Sequence, residues 1–116
     1  MTVGDQHSPV REVQWIDRTA VVRAAGDIDL NSSPAFQQEL LGLLDGRPRK
    51  IVINLSEVAY MDSSGVATLV KLLSRVRRWQ CSLCLVGLTD RVRGVFEITR
   101  LDSVFDIRAT EEEALV

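Results

Sequence analysis

The stretch KIVINLSEVAYMDSSGVATLV, residues 50–70, changes its hydrophobic period partway along. Its first part, KIVINL (residues 50–55), is nearly continuous in apolar, mostly β-branched residues, as expected for a strand covered on both faces. Further on, Val66, Leu69, Val70, Leu73 and Val76 recur at helical spacing, which predicts a helix running to about Trp79. Between the two lies MDSSG (residues 61–65), with an acidic residue, two hydroxyls and a glycine where the helix starts, at Ser63 or Ser64. Asp and Ser are favoured N-caps, each worth about 1 kcal/mol. A cap therefore accounts for part of this composition, but two serines after an aspartate exceed what a cap needs.

Other elements flank this strand and helix. VREVQWI (residues 10–16) and AVVRAAG (residues 20–26) read as two strands joined through Asp17, Arg18 and Thr19 in a hairpin. A polar loop, DIDLNSS (residues 27–33), leads to Pro34, which suits a first helical turn capped by Ser32 or Ser33. Phe36, Leu40, Leu43 and Leu44 share one face of that helix, and Gly46 and Pro48 end it. SLCLVGL (residues 82–88) reads as another buried strand, DRVRGVFEIT (residues 90–99) as a short helix and VFDIRA (residues 104–109) as a weak strand. Thr110 and Glu113 form a capping box for a brief last helix. From Lys50 onward strands and helices alternate, which predicts an α/β fold with a mostly parallel sheet. The leading hairpin makes that sheet mixed, with four to five strands and about four helices. Residues 1–9 are expected to be a flexible leader and residues 10–116 one domain.

Composition narrows the function. The 116 residues carry a formal net charge of −2, so no overall positive field favours nucleic acid. No apolar run reaches the roughly 20 residues that span a bilayer, and MTVGDQHSPV is not a signal peptide, so a cytoplasmic protein is expected. Cys81 and Cys84 have the spacing C-x-x-C. In a strand, residues three apart point to opposite faces, which predicts two core thiols and neither a metal site nor a disulfide. The one histidine, His7, lies in the leader, and neither G-x-S-x-G nor G-x-x-x-x-G-K occurs. Lys50 and Lys71, the only lysines, are badly placed as bases. Hydrolase and nucleotide-loop chemistry are therefore set aside, and no cofactor or metal is expected.

MDSSG falls at the carboxyl edge of the strand, where open α/β sheets carry their sites. Backbone N–H groups and the helix dipole there would favour a phosphate on Ser63, and Gly65 would let another backbone come close. With no apparatus in the chain for activating a hydroxyl, a reaction at Ser63 would need a second protein. The remaining features have plain readings. Lys71, Arg75 and Arg78 form a solvated helix face, Trp79 closes the core at the helix end, and Trp15 is an edge or core aromatic.

Four segments in order, AAGDID (residues 24–29), SSPAFQQEL (residues 32–40), IVINLSEVAYMDSSGVATLV (residues 51–70) and LCLVGLTDRVRGVFEITRLDSVFDI (residues 83–107), resemble the STAS domains of anti-sigma factor antagonists. The resemblance runs from about Val10 to Val116. It implies the STAS fold and a partner switch. The unmodified domain would bind an anti-sigma factor that is also a serine kinase of the histidine-kinase-like ATPase fold, releasing a sigma factor. Phosphorylation would end the binding, and a serine phosphatase would reset it. By the same resemblance Ser63 is the phosphoacceptor, with Ser64 as second choice, and Asp27, Asp29, Asp62, Ser63, Ser64 and Gly65 form the partner-binding set. Relatives often have Glu where Asp27 stands, and Leu-Gly where Val66 and Ala67 follow Gly65. The expected protein is not an enzyme, inserts in no membrane and is a monomer. The alternative is a STAS subunit of a lipid-transport ABC complex that binds its ATPase.

Overall fold

In a computed structural model, residues 8–116 are described. β1 (Val10–Ile16) and β2 (Thr19–Ile28) form the expected hairpin, paired antiparallel from Val10 opposite Ala24 to Ile16 opposite Thr19. Next come α1 (Ser33–Gly42), a 3₁₀ turn over Leu43–Gly46, β3 (Lys50–Met61) and α2 (Ser63–Arg78). β4 (Ser82–Val86), α3 (Asp90–Ile98), a 3₁₀ turn over Leu101–Ser103, β5 (Asp106–Arg108) and α4 (Glu111–Ala114) complete the chain. The five strands lie in chain order, β1-β2-β3-β4-β5, and all pairs after the first are parallel. A sequential order with right-handed crossovers places the crossover helices on one face of the sheet.

Strand alternation sorts the core accordingly. Ala20 and Val22 of β2, Ile51, Ile53 and Leu55 of β3, and Leu83 and Leu85 of β4 meet Phe36, Leu40, Leu69, Leu72 and Phe96 of the helices. Phe96 and Phe105 add an edge-to-face pair with ring centres 5.5 Å apart. The opposite face buries Val21, Val52, Cys84 and Val86 under Ala114 of α4. Cys81 and Cys84 are free, buried and divided between the two clusters, as predicted, although Cys81 lies just before β4, with its N–H bonded to the Val76 carbonyl of α2.

Several expectations are corrected. The loop predicted from Asp27 is still strand at Asp27 and Ile28, which pair with Tyr60 and Met61. Gly26, at φ 88°, sits at an irregularity that shifts the register and lets pairing resume. β3 likewise runs on past Leu55 to Met61. On α2, Val70 is 41% exposed while Leu72, absent from the predicted stripe, is fully buried. Trp79 does not close the core; it is 60% exposed, beyond Val76, which makes the last core contact of the helix. Of the expected leader, Ser8 and Pro9 are already part of the domain: Ser8 is buried, and the Pro9 carbonyl accepts from the Ala25 N–H at 2.9 Å. The rest of that leader, His7 included, lies outside the described residues.

Candidate functional site

The β2 and β3 strands end together, Ile28 opposite Met61, and the two chain directions then diverge into α1 and α2. Asp62 is the N-cap of α2. One carboxylate oxygen accepts from the Ser64 N–H at 2.9 Å and from the Gly65 N–H at 3.4 Å. The Ser64 hydroxyl also donates to that oxygen, and this bond is the main cause holding the Asp62 carboxyl below the usual aspartate range. The Ser64 oxygen lies 2.7 Å from the hydroxyl of Ser33, a buried residue at the start of α1. Asp62, Ser64 and Ser33 thus tie the two helix starts together.

Ser63 is different. It is exposed, and among the described residues its hydroxyl has no hydrogen-bond partner. The capping composition of MDSSG is therefore divided: Asp62 and Ser64 make the cap, and Ser63 is left over. One expectation changes with this. The N–H groups of Ser64 and Gly65, which would otherwise receive a phosphate, are occupied by Asp62, so a phosphate on Ser63 would rest mainly on the helix dipole.

Asp29 is spent on local structure. Its carboxylate accepts from the N–H groups of Asn31 at 2.9 Å and Ser32 at 3.2 Å, an Asx-type turn leading into α1. Asp27 is exposed, and its carboxylate has no partner among the described residues, although its carbonyl accepts from the Ser32 hydroxyl at 3.0 Å. Gly65 is buried. A Cβ there would come within 2.7 Å of both Ile28 Cγ2 and Met61 Cγ. The close approach expected at this glycine is thus made by the chain's own core, and an external backbone has no access to it.

Sequence reasoning missed the exposed apolar side chains on the elements that flank Ser63. Leu30 is 77% exposed, and Tyr60 and Val70 are each about two-fifths exposed. An open groove of about 310 Å³ runs between α1 and α2, lined by Leu30, Pro34, Gln37, Ser64, Ala67 and Thr68. Leu30 within the polar run DIDLNSS was the available signal; Val70 fitted the predicted apolar stripe and gave none. An open groove at the start of α2, edged by the exposed Leu30, suits a protein contact better than a small-molecule pocket.

Known proteins bear on this geometry. A STAS domain model matches residues 11–114. The anti-sigma-B factor antagonist of Listeria monocytogenes is 36% identical over 103 residues, covering 89% of this chain and 87% of the relative. That of Bacillus subtilis is 35% identical over 101 residues, covering 87% and 92%. Among solved structures, the anti-sigma factor antagonist SpoIIAA in its unphosphorylated form superposes with a TM-score of 0.79 at 25% identity, covering 90% of this chain and 91% of that one.

Proposed function

The chain belongs to the STAS domain family, and from that premise we propose that it is an anti-sigma factor antagonist switched by phosphorylation of Ser63. Its relatives are regulatory proteins named for antagonising another protein, and this chain is likewise not an enzyme. The observation that carries the finer reading is the division between the two serines. A kinase needs a hydroxyl it can reach, and Ser63 offers one, while the Ser64 hydroxyl is held by Asp62 and Ser33.

The partner, an anti-sigma factor that is also a serine kinase of the histidine-kinase-like ATPase fold, would cover Ser63 together with Leu30, Tyr60 and Val70. Asp27 is the carboxylate left available for a contact. Asp29 and Gly65 shape the surface without reaching the partner, and Asp62 and Ser64 set the direction in which Ser63 points. Phosphorylation would add about −1.5 to −2 charges beside Asp62. A partner packed on the apolar rim would have to desolvate that charge, and binding ends unless the partner supplies a cation. A serine phosphatase would restore the surface. Function in the cytoplasm as a monomer completes the proposal. Among the described residues no helix is long and apolar enough to cross a membrane.

The test uses wild type, Ser63→Ala and Ser63→Glu as baits in lysate of the native organism, with bound proteins identified by mass spectrometry. Wild type and Ser63→Ala are expected to retain a small kinase-like ATPase, and Ser63→Glu to lose it. Retention of one transporter ATPase by all three baits would instead make the chain a subunit of a lipid-transport complex.

A further inference from the structure

The far end of the sheet, where the parallel strands begin, carries features that the Ser63 site does not use. Three loops meet there: the β1–β2 turn with Arg18, the link into β3 with Arg47, Pro48 and Arg49, and the α2–β4 turn with Trp79 and Gln80. They enclose an open groove of about 260 Å³. The Arg18 guanidinium donates to the Arg47 carbonyl at 2.6 Å, and the Arg49 N–H donates to the Arg18 carbonyl at 2.8 Å, so two of the loops are fastened together. Arg18, Arg47, Arg49 and Trp79 are all exposed. None of these arginines enters an ion pair among the described residues, although Asp17 and Asp45 lie in the same loops. Arg75, Arg77 and Arg78 in the last turn of α2 add positive charge at this end.

Arg47 and Gln80, which line the groove, have φ of 51° and 55°, and Asp17, next to Arg18 in the β1–β2 turn, has φ of 53°. Arg47 is the left-handed C-cap of the 3₁₀ turn over Leu43–Gly46, a common way for a helical turn to end, and Arg100, outside the groove, has the same conformation.

Size and shape indicate the kind of ligand. Small-molecule sites enclose about 300–1,000 Å³ and bury most of the ligand. This groove is smaller and open, and its central aromatic is 60% exposed. An exposed Trp among arginines is the composition of a protein-contact hot spot. Nucleic acid would call for a longer basic stripe and a positive domain, and the chain has a net charge of −2. We propose that the groove formed by Arg18, Arg47, Arg49 and Trp79 is a second docking surface, which takes an acidic segment of another protein with an apolar side chain laid on the indole. The 16 residues of α2 separate it from Ser63 by about 24 Å, so one molecule can hold two partners at once. This inference does not depend on Ser63 being phosphorylated.

The indole N–H resonances of Trp15 and Trp79 in ¹⁵N-labelled protein provide the assay, with an acidic hexapeptide of Glu and Asp bearing one Leu as probe. Saturable movement of the Trp79 signal is expected at low millimolar peptide, larger than that of Trp15, whose ring packs beside Gly46 at the edge of the same loop. Arg47→Gly is the informative variant. It relieves the left-handed arginine, so its thermal midpoint should rise, while peptide affinity falls roughly fivefold or more. Trp79→Ala, followed through the Arg49 amide, should weaken binding comparably, and Ser63→Glu should leave it unchanged. No movement of Trp79, or full affinity in Arg47→Gly, overturns the proposal. So does tighter binding of inorganic phosphate or of a short single-stranded oligonucleotide, which would reassign the groove to a different ligand. A loss of peptide affinity in Ser63→Glu would overturn the independence of the two surfaces.

Discussion

At Asp62 a single carboxylate holds two backbone N–H groups and one hydroxyl, and this has a consequence for pH. Its folded-state pKa lies below the ordinary value of about 3.9. The unfolded chain therefore binds the proton more readily over that interval, and stability rises with pH there. The contribution is complete above the unfolded value and is lost as pH falls through the folded one. Asp62→Asn keeps a good cap and removes the titration, so its stability should vary less with pH between about 2 and 5, as urea unfolding would show. Gly65 has a packing role. Gly65→Ala would force a methyl onto Ile28 and Met61, both buried, at a cost of roughly 1–3 kcal/mol by the same measurement. MDSSG displayed the cap chemistry in its composition, but the reason for its glycine was hidden, because Ile28 lies more than thirty residues away along the chain.

Among the elements, α4 is the one held by a few specific contacts. It has four residues, too few to be stable alone. Thr110 caps it by accepting from the Glu113 N–H at 3.2 Å, and the Glu113 carboxylate accepts from Ala109 at 3.4 Å, one residue short of a reciprocal capping box. Its anchor is Glu111, which accepts two bonds from Arg23, at 2.8 and 2.7 Å, and one from Asn54 at 2.7 Å. The Arg23 bond is the main cause of the lowered Glu111 pKa, and the Lys50 ammonium adds a bond to the Ala114 carbonyl. Beneath the helix, burial pushes the Cys84 thiol up to about 11. In a Cys81→Ala background, Glu111→Ala should raise the labelling rate of Cys84 roughly tenfold, equivalent to about 1.4 kcal/mol of easier local opening. An unchanged rate would mean that apolar contact alone holds α4. The capping signal at Thr110 was readable in the sequence. The anchor was not, since nothing local connects Glu111 to Arg23.

Across the whole molecule, the two proposed surfaces stand at opposite ends of the sheet. Ser63 lies at the carboxyl end of β3, and the arginine groove lies where β2 and β3 begin. α2 joins them as one helix, capped by Asp62 at its start and packed through Leu69, Leu72 and Val76. A charge added at the exposed Ser63 has no buried group to displace, so the switch is expected to be local. Phosphorylated protein should show amide shifts confined to residues around 27–34 and 60–68, with Trp79 unmoved. Shifts spreading along α2 to Trp79 would indicate refolding in place of surface charge.

The order of strands and helices, the mixed sheet and the cap-rich start of α2 were determined by local pattern. Periodicity, turn residues and capping chemistry act within a few residues and leave their mark in the sequence. The separation of Cys81 and Cys84 was anticipated from strand geometry, although Cys81 itself lies just before β4. Tertiary structure decided that the Ser64 hydroxyl, already held locally by Asp62, also meets Ser33 from another helix, as the role of Gly65 depends on Ile28. It also decided that Trp79 stands outside the core and that three arginines from two loops share a groove with it. These outcomes arise where segments distant in sequence meet. Packing there is set by the shape of the whole domain, and no local pattern records it.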